Sequence, residues 1–234
     1  MAVVIPAHDE ERLLPAALDA VALASRAPSL AALRVLTVVV ADSCRDRTAA
    51  VAAAAGALVV HADCRNPGAA RALGAQRALA EAGTEGLWIT ATDADSVVPP
   101  HWLAFHRAMA RTGWDAVVGT VRLPPSPLAA LHAAGYDATR PAARAPWRHP
   151  HVHGANLGVA AHAYQEVGGF PHLGVGEDRA LVAALHRGGY RILRTDACPV
   201  LTSDRLRGRA RGGFAQHLAT LTGTGTDVSA PGSA

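Results

Sequence analysis

The sequence predicts an α/β fold with a central, mostly parallel sheet flanked by helices. Three observations lead there. Across residues 2–113, short apolar runs of strand length alternate four times with stretches of helical periodicity. The polar edges of those runs carry carboxylates, at Asp42, Asp63, Asp93 and Asp95. A composition of 50% hydrophobic and 18% charged residues, over 234 residues, suits one large core and does not call for a second domain.

Ala2–Ile5 is an apolar run ending at Pro6, as expected of a buried parallel strand. Leu13, Leu14, Ala17, Leu18 and Val21 follow at helical spacing, with Asp9 as the candidate cap. Leu36–Val40 is the second strand, ending in Asp42-Ser43-Cys44. Asp46 opens the next helix as a cap and Gly56 closes it. Leu58–Val60 repeats the strand signal. The third helix has Asn66 as cap, Pro67 in its first turn and Gly83 past its end. Leu87–Ala91 is the fourth strand, followed by a helix from Pro99 to about Thr112 that Gly113 closes. Parallel crossovers are right-handed, which gathers the strand ends on one side of the sheet.

A fifth strand is expected at Ala116–Val121, after which regularity lapses. Residues 122–152 are rich in Pro, Arg, His and Ala, with a short helical suggestion at Leu128–Ala134. A connection of that length in a compact domain is usually functional. Order resumes at Gly154–Val159, followed by a short helix to Val167 and the turn Gly168-Gly169-Phe170. Gly176-Glu177-Asp178 opens a helix to His186, and Tyr190–Leu193 reads as one more strand. Arg205, Arg207, Arg209 and Arg211, with Gly208, Gly212 and Gly213 as hinges, precede a last helix, Phe214–Leu221. The organisation expected is one domain over 1–222, with a nucleotide-binding half (1–113), an acceptor-binding half (114–222) and a disordered Gly/Ser/Thr-rich tail, 223–234.

Composition removes several functions. All 22 basic residues are arginine, so Schiff-base lysine chemistry and a lysine phosphate loop are excluded. A net charge of +3 without a nucleic-acid-binding motif does not argue for a nucleic-acid partner. Three cysteines with no CxxC fit reduced thiols in a cytoplasmic protein better than a zinc site or a disulfide framework. The chain opens directly on a strand pattern, so no signal peptide is expected. The apolar run Ala49–Val60 is too short to cross a bilayer. The first turn, Pro6-Ala7-His8-Asp9, is not GxGxxG, and no GxSxG elbow exists. His149, His151 and His153 alternate and would share a face of a strand. That face could bind a metal, although His153, beside Gly154, is better placed to line a pocket.

The most telling stretch is Leu87-Trp88-Ile89-Thr90-Ala91-Thr92-Asp93-Ala94-Asp95. It sets two carboxylates one residue apart at a strand's end, where open α/β sheets bind ligands. Carboxylates that close repel unless a cation or dense hydrogen bonding compensates, and a hard divalent ion is the usual answer.

Five segments in order resemble family 2 glycosyltransferases of the Rossmann-like GT-A fold. Ile5-Pro6-Ala7-His8-Asp9-Glu10-Glu11 is similar to the opening P-x-x-N-E, and Asp42–Thr48 stands where D-G-S-x-D-x-T is usual. Asn66–Arg71 resembles N-x-G-x-x-x-A/R, and Thr92–Asp95 the DxD. Gly169-Phe170 with Gly176-Glu177-Asp178 resembles G-G-F…E-D. The resemblance covers roughly residues 2–212. Asp9 stands for the usual Asn, Ala41 for a common first Asp, and Cys44 for Ser. The Q-x-x-R-W of processive synthases is missing.

The resemblance implies a metal-dependent, inverting, non-processive transferase that moves a sugar from a UDP- or GDP-linked donor to an acceptor hydroxyl. Its cation would be Mg²⁺ or Mn²⁺. Asp95 is the expected metal contact, and Asp93 holds the ribose or a metal-bound water. Pro6, Ala7, His8 and Glu10 shape the nucleoside pocket, Asp42 meets the base or ribose, and Arg71 meets the diphosphate or a rim carboxylate. Asp178 is the expected base, with Glu177 as fallback. His153, Arg205 and Arg209 are candidates for the acceptor side or a lid. Two alternatives are a nucleotidyltransferase, whose glycine- and arginine-rich phosphate loop Pro6-Ala7-His8 does not match, and a non-catalytic nucleotide-sugar binder, for which the Glu177-Asp178 pair has no use.

Overall fold

Val3 and Ile5 pack into one apolar layer while Ala2 and Val4 pack into another, so the first strand is buried on both faces. In the computed structural model, which describes residues 1–141, 147–208 and 213–223, this strand is β1 (Ala2–Ala7). It is followed by α1 (Leu14–Ser25), β2 (Leu36–Asp42), α2 (Thr48–Ala54), β3 (Leu58–Ala62), α3 (Pro67–Ala82) and β4 (Trp88–Ala91). Then come β5 (Ser96–Val97), α4 (Trp102–Arg111), β6 (Ala116–Arg122), α5 (Pro127–Asp137) and β7 (Leu157–Ala160). The chain continues through α6 (Ala161–Glu166), α7 (Glu177–Arg187), β8 (Ile192–Thr202) and α8 (Phe214–Leu221).

One eight-stranded sheet, in the order β3-β2-β1-β4-β7-β6-β8-β5, runs through the whole molecule. β1, β2, β3 and β4 are parallel to their neighbours among themselves, as the sequence predicts. Beyond β4 the sheet turns mixed, because β7 lies antiparallel to both β4 and β6 while β6 and β8 pair in parallel. On one face α3 and α7 contribute Ala75, Ala78, Leu181 and Leu185. On the other, α1 and α4 contribute Leu14, Leu18, Trp102 and Leu103. At Gly74 of α3 a Cβ would collide with Val4 of β1, so a glycine is needed for this close approach despite its cost in a helix, about 1 kcal/mol.

Several local expectations hold in detail. The Asn66 side chain accepts from the Ala69 N–H, Pro67 sits in the first turn of α3, and Gly83 ends that helix at φ 71°. Others need correction. Asp9 does not cap α1. It adopts φ 52° and its carboxylate accepts from the Arg45 N–H at 2.7 Å, while α1 starts at Leu14 with no side-chain cap. Asp46 accepts from the Thr48 N–H at 2.9 Å, although Arg47 occupies the cap position itself. α4 starts at Trp102, because Pro99 and Pro100 form the turn ahead of it.

The stretch 122–152 is more regular than expected, since Ser126 caps the full helix α5 by accepting from the Ala129 N–H. β5 was not anticipated. β8 extends to Thr202, well past the expected Leu193, and its register with β6 shifts between Gly119 and Val121. That irregularity accommodates Pro199, which cannot donate to a ladder. The predicted tail lies outside the described residues beyond Gly223.

Candidate active site

The ends of β1, β2 and β4, the start of α7 and the chain beyond β8 surround a cavity of about 660 Å³. Its lining includes Pro6, Ala7, His8, Glu10 and Asp42 from the first two strand ends, Arg71 from α3, and Asp93 and Asp95 beyond β4. Glu177, Asp178, His153 and Arg205 complete it. Residues chosen from separate sequence segments therefore meet in one place. Arg209 lies outside the described residues.

Asp42 is held by the turn after β3. Its Oδ1 accepts from the N–H groups of Cys64 (2.6 Å) and Arg65 (3.0 Å), and its Oδ2 from that of Asn66 (3.0 Å). Burial opposes its ionisation, but the Arg65, Asn66 and Cys64 N–H groups outweigh it and hold the carboxyl below its ordinary range. His8 Nδ1 lies 2.6 Å from the Asp42 carbonyl oxygen, which ties the first turn to the second. The Glu10 N–H donates to Thr48 Oγ1 at 2.8 Å.

Two arginines organise the carboxylates. Arg71 is buried and bridges Asp93 to Glu177. Arg205 bridges Glu10 (2.6 Å) to Asp95 (2.8 Å). These four carboxylates and two arginines, when all are ionised, carry a net charge of two negative among the described residues. Burial, then the charge of Asp93, pushes the Asp95 carboxyl up to about 6 even with Arg205 beside it.

The adjacent pair at the start of α7 is divided in its environment. Glu177 is buried on Arg71, and burial, partly offset by that guanidinium, raises its pKa. Asp178 faces the cavity, its Oδ2 accepting from the Gly154 N–H at 2.8 Å. Gly154 is a requirement of the packing, since a Cβ there would stand 2.6 Å from an Arg71 nitrogen.

Residues 149–153 form no strand, yet their three histidine rings still stack side by side. His149 and His151 stack at 6.0 Å between ring centroids, and His151 and His153 at 6.4 Å. His149 is not free for a metal, because both ring nitrogens face backbone carbonyls, at His151, Val118 and Thr195. His153 lines the cavity beside Phe214, with Nε2 2.6 Å from the Tyr136 hydroxyl. Burial and the surrounding imidazoles lower its pKa to about 3, so the ring is neutral.

Sequence reasoning missed Phe214, His217 and Arg179 in the lining. Phe214 reads in sequence only as the start of a helix, and nothing local ties it to His153. Also missed was the group Asp9, Cys44 and Asp46, whose ligand atoms all lie within 4.8 Å of one another and could hold a metal ion. All three cysteines are free thiols.

The family model for glycosyl transferase family 2 matches residues 2–158. No curated protein matches the chain. Among solved structures, the chain is similar to Staphylococcus aureus TarS 1-349 in complex with UDP-GlcNAc (13% identity, TM-score 0.66), over 94% of this chain and 65% of that one. It is similar to the mannosyltransferase PcManGT of Pyrobaculum calidifontis in complex with GDP-Man and Mn²⁺ (22%, TM-score 0.65), over 95% and 62%. A third similarity is to glucosyl-3-phosphoglycerate synthase of Mycobacterium tuberculosis in complex with Mn²⁺, UDP and phosphoglyceric acid (19%, TM-score 0.56), over 99% and 80%. The chain thus spans less than two thirds of the TarS and PcManGT chains. Its mixed sheet flanked by helices is the GT-A fold of these structures, and with two thirds of its length under the family model the chain belongs to glycosyl transferase family 2.

Proposed function

We propose that this chain transfers a sugar from a nucleoside diphosphate sugar to an acceptor hydroxyl, with divalent-metal dependence, inversion at the anomeric carbon and release after each transfer. The observation that carries this reading is that Asp178 faces the same cavity as Asp93 and Asp95. One wall carries the charges that suit a diphosphate, and across from it stands a carboxylate available to a hydroxyl.

The donor set fits Mg²⁺ or Mn²⁺. Asp95 and Asp93 offer hard oxygen ligands, and burial, then the charge of Asp93, raises the Asp95 carboxyl, a penalty on its charged form that a cation would offset. Asp95 would hold the ion directly and Asp93, steered by Arg71, would be its second contact. Bound there, the cation would supply Lewis-acid stabilisation of the charge growing on the leaving diphosphate.

The remaining work falls to the protein's own groups. Pro6, Ala7 and His8 form the nucleoside floor, and Asp42, whose Oδ2 has one described donor, accepts from the base or ribose. Asp178 takes the proton of the attacking hydroxyl as the bond between anomeric carbon and diphosphate oxygen breaks, and the nucleoside diphosphate leaves. Its hydrogen bond from Gly154 fixes its direction. Glu177, engaged by Arg71, positions this machinery and takes no proton. In this reading 1–113 is the donor half and 114–222 the acceptor half of one domain. Free thiols suit a cytoplasmic location, and no helix among the described residues is long and apolar enough to cross a membrane.

The test is a titration of UDP- and GDP-linked sugars into the protein with and without Mn²⁺, followed by hydrolysis and transfer assays. The expected result is Mn²⁺-dependent binding of one donor class and slow hydrolysis. Cation-independent binding, or no binding of any nucleotide sugar, would overturn the proposal.

A further inference from the structure

Tyr136 decides which nitrogen of His153 carries the proton. The Val121 N–H donates to the Tyr136 hydroxyl at 3.3 Å, so the hydroxyl's own proton is directed to His153 Nε2, 2.6 Å away. Burial and the surrounding imidazoles keep the His153 ring uncharged, and a neutral imidazole that accepts at Nε2 donates from Nδ1. That Nδ1 has no partner among the described residues, although the ring lines the cavity. The ring is held between His151, at 6.4 Å between centroids, and Phe214, at 5.5 Å. The next residue, Gly154, gives its N–H to Asp178. Two successive residues thus face the same end of the cavity, one aiming the carboxylate and the other carrying a spare donor.

The wall around that donor is built of rings and aliphatic groups. The lining contributed by 150–155 and 213–217 includes Pro150, Val152, Phe214 and Ala215, and it holds no arginine, aspartate or glutamate among the described residues. We infer that His153 is the specificity-determining donor of the acceptor subsite, its Nδ1–H meeting an oxygen of a neutral sugar or glycoside whose C–H face lies against Phe214. This rests on the reading of Asp178 as the base and adds the class of acceptor. A sugar ring presents an apolar C–H face and several hydroxyl oxygens, and this wall offers an aromatic surface for the one and an uncharged N–H for the other. A phosphate or carboxylate on the acceptor would bring charge to a wall without counter-charge, and burying it there unpaired is costly. Arg179 lines the cavity with no acidic partner among the described residues, and as the neighbour of the base it is the cation an anionic acceptor would use instead.

The test is transfer from the donor that the protein binds with Mn²⁺, with methyl glycosides and disaccharides as neutral acceptors and sugar phosphates and uronates as charged ones. The neutral class should react, with kcat/KM at least about tenfold above the charged class. His153→Gln, whose amide reaches the Nε2 position and leaves Nδ1 unreplaced, should raise the acceptor KM about tenfold, with a smaller change in kcat, as expected for one lost neutral hydrogen bond. Its affinity for the donor should hold. His153→Asn, whose amide stands at the Nδ1 position, should recover most of that loss. Tyr136→Phe, which removes the proton that fixes the tautomer, should fall between the wild type and His153→Gln, and it serves if the histidine variants do not fold. An acceptor KM unmoved in both His153→Gln and Tyr136→Phe would show that His153 donates nothing to the acceptor. Preference for the charged class would overturn the acceptor assignment, and its loss in Arg179→Gln would place the anion on that arginine. A protein that binds and hydrolyses its donor but transfers to neither class also overturns the assignment and leaves the donor site standing. Failure to bind any nucleotide sugar would instead sink the reading on which the inference rests.

Discussion

The two walls of the cavity solve the burial of polar groups in opposite ways. The wall on β1, β2 and β4 buries charge and matches it, with Arg71 and Arg205 each serving two carboxylates. The facing wall, on 149–154 and α8, buries rings and keeps them neutral. His153 packs against Phe214 at 5.5 Å and His151 against Tyr136 at 4.3 Å, and burial lowers the pKa of both histidines. The contrast separates two tasks. A charged diphosphate needs fixed counter-charges, whereas a hydroxyl acceptor needs an apolar surface, uncharged partners and one base. In the proposed reading Asp178 is that base, and it stands where the walls meet, with Gly154 of the ring wall donating to it.

The sharpest way to break this division is at the adjacent pair of α7. Asp178→Asn should lower kcat by about 10²–10⁴-fold, the range for loss of a positioned base. The affinity for the nucleotide sugar, measured by calorimetry with Mn²⁺, should stay nearly unchanged. A comparable loss of donor affinity would move Asp178 to the charged wall. Arg71→Ala comes next and tests the charged wall as structure. It leaves Asp93 and Glu177 without their shared partner, and unfolding in denaturant should show a loss of about 3–5 kcal/mol, as for other broken buried ion pairs. A loss under about 1 kcal/mol would mean that the pair behaves as a solvated one.

The charged wall was the more legible in the sequence. β1, β2 and β4 are short β-branched runs whose ends are unmistakable, and the carboxylates sit on those ends. What could not be read was pairing across distance. Arg71 and Glu177 are 106 positions apart, Arg205 and Glu10 are 195 apart, and no local pattern joins them. The family resemblance ranked Asp178 ahead of Glu177, but nothing local in the sequence shows how their surroundings differ. Their difference is made by Arg71 on α3 and by the Gly154 N–H, both remote in the chain. The alternation of His149, His151 and His153 was visible, yet their partners Tyr136 and Phe214 were not, because folding alone brings these segments together. Strand β8 was cut short for a related reason. Asp196 and Pro199 interrupt the strand pattern, and the shifted register with β6, between Gly119–Thr195 and Val121–Val200, takes them up.

The ring wall gives a smaller but more distinctive signal, in acid. The Val121 N–H donates to the Tyr136 hydroxyl at 3.3 Å, so that hydroxyl is free to give its own proton to the neutral Nε2 of His153. Protonating His153 would charge a buried ring among other imidazoles, which is why its pKa falls to about 3. His106, buried beneath the sheet on Trp88 and Trp102, is likewise lowered to about 3, chiefly by burial. In the unfolded chain each takes up a proton near pH 6.5, while the folded protein resists until about 3. The unfolded state therefore binds more protons between those values, and stability falls as pH drops from 6.5, by up to about 1.4 kcal/mol per pH unit for each histidine. Denaturant unfolding at pH 7.5, 6.0 and 5.0 measures this slope. His106→Phe and His153→Gln should each flatten it, whatever they do to stability at pH 7.5. The charged wall predicts no loss from these substitutions in Mn²⁺-dependent nucleotide binding. If the slope is unchanged in both variants, neither ring carries it, and the neutrality assigned to His106 and His153 is wrong.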